Sequence, residues 1–167
     1  MTPRRFETHT ALVTIPADIL RWADAQADRH EAEWGFEEDV SIEWPLCGWR
    51  GAVGMHVDGE ADKQEAIIGL IIEGAKHVLA CGVTGQELPL APGTLYILDP
   101  MARHGTRTPN PDARLLFVTD SIPIDDRSAP AVLAARLLAS AEQAAARDAD
   151  RQRAATQAYH GIASVRR

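Results

Sequence analysis

The chain has 167 residues, 46% of them hydrophobic and 25% charged, and carries a formal net charge of −7 at pH 7. That length suits one domain, since two cores of useful size would be cramped. No apolar run approaches the ~20 residues that a spanning helix needs, which argues against a membrane protein. The negative charge removes the general phosphate attraction behind nucleic-acid binding, so nucleic acid is disfavoured and a small-molecule or peptidyl substrate is expected. The first ten residues have no apolar core of the kind a secretory signal carries, which makes the cytoplasm the expected compartment.

In chain order, residues 1–10 read as an extended lead-in. Pro16 can open a helix, and Ile19, Trp22, Ala23, Ala27 and His30 fall at helical offsets, with Gln26 interrupting the stripe. The spacing predicts an N-terminal helix over 16–34. Between Val40 and Arg114 the apolar residues come in short runs punctuated by Gly, Pro and Asp: 41–44, 52–57, 66–72, 77–80 and 94–98, followed by 114–119. Such runs predict several strands, hence a sandwich or barrel over 40–121. From Ser128, a plausible N-cap followed by Pro130, an Ala-rich stretch carries Leu133, Leu137, Ala141 and Ala144 at helical spacing. It predicts a C-terminal helix over 128–160 that stops at Gly161 and offers a homodimer contact. Residues 1–167 thus read as a single domain, with helix, β core and helix in that order.

The chemistry-bearing segment is Gly54-Met55-His56-Val57-Asp58-Gly59-Glu60. In a strand, side chains two apart leave the same face, so the His56 imidazole and the Asp58 carboxylate can converge on one ion. A third ligand is expected from a distant strand, and His104 follows a Pro92-Gly93 turn, a strand and the breaker Pro100. Two imidazoles and one carboxylate form a face that leaves the opposite coordination positions of a divalent metal open. Ten residues on, Arg114 opens the run Arg-Leu-Leu-Phe-Val-Thr-Asp, with Arg114, Leu116 and Val118 on one face and Leu115 and Phe117 on the other. A lone guanidinium at the head of an apolar strand needs an anionic partner, and a carboxylate fits its planar fork.

His56, Asp58, His104 and Arg114 together resemble the pattern of the Fe(II)- and 2-oxoglutarate-dependent dioxygenases, over roughly Trp49 to Asp120. The resemblance implies a mainly β fold, a double-stranded β-helix (a cupin-like jelly roll) flanked here by the two helices. It implies Fe(II) held by His56, Asp58 and His104, 2-oxoglutarate as co-substrate gripped by Arg114, and molecular oxygen as the second co-substrate. The expected reaction is hydroxylation with release of succinate and CO2. Many members carry Ser or Thr two residues after the arginine, where this chain has Leu116; Thr94, Tyr96 or Thr119 is left to supply that hydroxyl. A rival resemblance is to metal-binding cupins that do not use 2-oxoglutarate: Gly93 to His104 is similar to their second motif, although their first motif has two histidines where this chain has His56 and Asp58. A non-catalytic jelly-roll binding module is the third reading.

The other candidates take plainer roles. His9, His30, His77 and His160 are expected at the surface, and Trp34, Trp44 and Trp49 in the core, with a wall of the substrate pocket as the alternative. Cys47 and Cys81 form no CxxC pair and read as free, partly buried thiols. The polar stretch 59–65 is either a substrate-side loop or a solvated connection.

Overall fold

The computed structural model describes residues 5–35, 40–59 and 64–165. A short strand, β1 (Phe6–His9), leads into helix α1 (Ala17–Trp34). Nine further strands follow among the described residues: β2 (Val40–Glu43), β3 (Leu46–Arg50), β4 (Val53–His56), β5 (Glu65–Gly74), β6 (Val78–Cys81), β7 (Glu87–Pro89), β8 (Leu95–Leu98), β9 (His104–Arg107) and β10 (Arg114–Pro123). Helix α2 (Pro130–Val165) closes the chain.

The strands form two antiparallel sheets, ordered β1-β8-β5-β10-β3-β2 and β4-β9-β6-β7. From β3 to β10 the chain passes between the sheets, so that β3, β5, β8 and β10 alternate with β4, the β6–β7 hairpin, and β9. That winding is the double-stranded β-helix expected from the sequence. The expected strands are all present, while β1, β3, β7 and β9 add to them. β1 is half-buried with a single large apolar residue, β7 is largely exposed, and β3 and β9 are interrupted by Gly48 and Gly105.

Both faces of the larger sheet are buried, which explains the continuous apolar run of β5. Its outer face, with Ile68, Leu70, Leu95, Ile97, Leu116 and Val118, packs against Ile19, Trp22, Ala23 and Ala27 of α1 and Leu133, Leu137, Ala141 and Ala144 of α2. These are the helical stripes read from the sequence. Gln26 lies in that interface too, with its amide donating to Asp148 Oδ2 at 2.9 Å. The inner face forms a second, smaller cluster with Cys47, Trp49, Ile71, Leu79, Leu90, Leu115 and Phe117.

Some expectations are corrected. α2 continues through Gly161 to Val165, because one glycine costs only about 1 kcal/mol against Ala in a helix. Pro130 begins that helix, so Ser128 precedes the cap, and its N–H bonds Asp126 Oδ1 instead. His77 is buried rather than surface-facing, its Nε2 lying 3.2 Å from the Gly51 carbonyl oxygen. Of the three tryptophans expected in the core, Trp34 and Trp44 are exposed and Trp49 is buried; Trp34 ends α1 and Trp44 lies in the turn after β2. Much of the polar stretch 59–65 lies outside the described residues. No described helix is long and apolar enough to cross a membrane.

Candidate metal centre

β4 and β9 are antiparallel neighbours, and their register places His56 directly opposite His104. Side chains at opposed positions share a face, so the two rings meet, with centroids 4.5 Å apart. Gly105 makes the approach of the strands possible: a Cβ there would stand 2.7 Å from the Val53 carbonyl oxygen. β4 ends at His56, yet the chain stays pinned for two more residues by the Asp58 N–H bond to the Pro100 oxygen at 2.9 Å. Asp58 therefore joins the histidines on the inner face. The three residues expected from the sequence are brought together.

The ring nitrogens have distinct tasks. His56 Nδ1 donates to the Gly54 carbonyl at 2.7 Å and His104 Nδ1 to the Ala102 carbonyl at 2.8 Å. A carbonyl oxygen only accepts, so each Nδ1 carries the proton and each Nε2 faces the site. His56 Nε2 lies 2.9 Å from Asp58 Oδ1, and His104 Nε2 lies 3.2 Å from Asp58 Oδ2. Ligand bonds of about 2.1 Å at right angles hold neighbouring donor atoms about 3.0 Å apart, so each of these contacts, made to a different oxygen of Asp58, has the spacing of two ligands on one divalent cation. All three donors lie within 4.8 Å of one another. Burial pushes the Asp58 carboxyl up, but the hydrogen bonds and charge that His104 and His56 direct at it when their Nε2 atoms are protonated outweigh this and hold the group below its usual range, and a cation in place of those protons acts in the same sense. The carboxylate is thus ionised and ready to bind a cation.

The triad opens into a cavity of about 270 Å³ between the sheets. Trp49, Tyr96 and Phe117 supply aromatic walls, and Ile67, Leu79, Leu90 and Leu115 supply aliphatic ones. Trp49 and Phe117 meet edge to face at 5.1 Å, a favoured aromatic geometry. Tyr96 owes its position to Gly69, its partner across β5 and β8; a Cβ on Gly69 would lie 2.2 Å from the Tyr96 ring.

Arg114 stands elsewhere, and the role expected for it is corrected. The alternation of β10 was read properly, but the face of Arg114, Leu116 and Val118 is the outer one, and Leu115 and Phe117 line the cavity. The guanidinium bonds Glu73 Oε1 at 3.2 Å and Oε2 at 3.0 Å, Asp28 at 2.8 Å and Asp24 at 2.6 Å. Its partners are therefore acids of α1 and β5. A bulge in β5 opposite Leu116 and Phe117 re-aims Glu73 toward it. Burial pushes the Arg114 pKa down, and Glu73 and Asp28 more than reverse this, raising it above the usual arginine value. Tyr96 and Thr119 line the cavity and Thr94 does not; the Thr119 hydroxyl donates to the Ile68 carbonyl at 2.9 Å. Trp49, read as core with a pocket wall as the alternative, is a buried wall of the cavity; sequence reasoning missed the walls Leu115 and Phe117, for which the strand alternation of β10 was the available signal.

No protein-family model matches the chain, and no curated protein matches it. Solved structures do. AviO1 from Streptomyces viridochromogenes Tue57 is 13% identical, with 76% of this chain and 93% of that one covered at a TM-score of 0.48. A cupin-2 domain containing protein from Shewanella frigidimarina is 14% identical, covering 58% and 90% at 0.38. An oxidoreductase of the 2OG-Fe(II) oxygenase family from Burkholderia pseudomallei is 17% identical, covering 45% of this chain and 41% of that one at 0.33. These likenesses are distant, and the assignment of the fold rests on the strand order itself. The chain is a cupin-like double-stranded β-helix with a His-Asp-His set suited to a metal ion.

Proposed function

We propose that the protein is a mononuclear metal enzyme of the oxygenase type, with Fe(II) held by His56, Asp58 and His104 and a small molecule bound in the cavity beside them. One observation carries this reading: two Nε2 atoms and a carboxylate converge in a group that could hold a metal ion, on the rim of a mostly apolar cavity. The metal, when bound, supplies open positions for oxygen and substrate. The chain's own share is to orient both imidazoles through the Gly54 and Ala102 carbonyls, to keep Asp58 ionised, and to exclude water with aromatic walls.

Two versions differ in co-substrate. The order His-x-Asp then distant His favours 2-oxoglutarate, as in the family the sequence resembles. The engagement of Arg114 on the outer face favours metal chemistry without it, because the expected grip on a second carboxylate is missing from the cavity.

Metal analysis of the wild type and of His104→Ala tests the centre. The wild type should retain near one equivalent of Fe(II) after anaerobic loading, and the variant should bind at least about 100-fold more weakly. Equal retention by both would end the proposal. Succinate release and a visible charge-transfer band on adding 2-oxoglutarate to the Fe(II) protein would select the first version, and their absence the second.

A further inference from the structure

Among the described residues, no lysine or arginine lines the cavity, and its formal charge is that of Asp58 alone, beside the two imidazoles. Two wall hydroxyls are already engaged with the main chain: Thr106 Oγ1 accepts the Val53 N–H at 3.1 Å, and Thr119 donates to Ile68 at 2.9 Å. The remaining walls are mostly aliphatic and aromatic. A carboxylate placed deep in such a space loses its hydration and meets no cation among the described residues, the Tyr96 hydroxyl being the one further wall hydroxyl, which is strongly unfavourable. An uncharged ring gains aromatic contact there instead. The volume is informative as well. An apolar cavity of about 150 Å³ admits benzene, so about 270 Å³ holds one substituted ring.

We infer that the ligand of this cavity has a metal-binding head and an uncharged apolar tail about the size of one aromatic ring, and that the site discriminates against dicarboxylates. The inference rests on the metal centre proposed above for the head, and on the cavity walls alone for the tail. Phe117 and Leu115 are the specificity-determining residues, since they occupy the inward positions of β10 beside the outward Arg114.

Two 2-oxo acids with the same chelating head isolate the tail. Protein loaded with Co(II) is titrated with phenylglyoxylate and with 2-oxoglutarate, and binding is read from the visible cobalt absorption. Phenylglyoxylate should bind roughly tenfold or more tightly. Phe117→Leu should weaken phenylglyoxylate several-fold and leave 2-oxoglutarate within about twofold. Equal affinities, tighter 2-oxoglutarate, or a variant that shifts both acids alike would overturn the inference. If cobalt fails to bind, the metal centre falls, and the tail is still judged on metal-free protein. Benzyl alcohol should then raise the melting temperature saturably while succinate does not; no difference between them would refute the tail as well.

Discussion

Replacing Arg114 with Met separates a structural pin from a ligand grip. The guanidinium side chain is 13% exposed, and its partners Asp24, Asp28 and Glu73 are 52%, 72% and 38% exposed. Each exposed pair contributes only about 0.2–1 kcal/mol. Here, however, one cation neutralises three carboxylates, and its removal leaves them facing one another between α1 and β5. The hydrogen bonds to a mostly buried charge add to that, so a loss of about 2 kcal/mol is expected. For a chain of this size that lowers the melting temperature by roughly 4–8 °C. The loss should shrink in high salt, which screens the carboxylate repulsion more than it affects the packing of the Met side chain. Thermal unfolding at low and high salt gives the stability, and the cobalt titration gives ligand affinity on the same sample. Unchanged stability with a tenfold loss of 2-oxoglutarate affinity would refute the placement of Arg114 on the outer face.

Gly69→Ala should push the Tyr96 ring out of its seat, since the new Cβ would lie 2.2 Å from ring atoms; overpacking costs about 1–3 kcal/mol, and urea denaturation of Gly69→Ala against Gly69→Ala/Tyr96→Leu should show recovery in the double variant. Asp148→Ala removes the acceptor for Gln26 at 2.9 Å and Gln152 at 2.7 Å, and should cost about 2–3 kcal/mol at the α1–α2 interface while leaving metal affinity within about twofold, as metal titration and chemical unfolding will show. His77 is kept from protonating by burial, against the opposing pull of the Gly51 carbonyl, so its pKa lies below the ordinary 6.5. The unfolded chain then binds a proton that the folded chain refuses, and stability falls as pH drops below about 6.5 until the folded group itself titrates. Urea midpoints at pH 7.5 and 5.5 should therefore differ less in His77→Gln than in the wild type; an equal difference would show that His77 contributes nothing to acid sensitivity.

Much of this protein could be read from residue order, because some physical constraints are local. Helical spacing located Ile19, Trp22, Leu133 and Leu137 on buried stripes, as a 3.6-residue period must put them on one face. Strand alternation likewise joined His56 to Asp58, and grouped Leu115 with Phe117 against Arg114. What alternation leaves open is which of two faces turns toward the site. Both faces of β10 are apolar and both are buried, one under helices and one around the cavity, so the pattern itself is symmetric. The choice was made by partners far along the chain: Asp24 and Asp28 in α1 and Glu73 on a bulged β5 draw the guanidinium outward. His77 was misplaced for a related reason, since its burial depends on the turn at Gly51, which the sequence around His77 does not contain. The apposition of His56 and His104, across the register of two strands 48 residues apart, is likewise a property of the sheet, because only the folded ladder sets the distance between them.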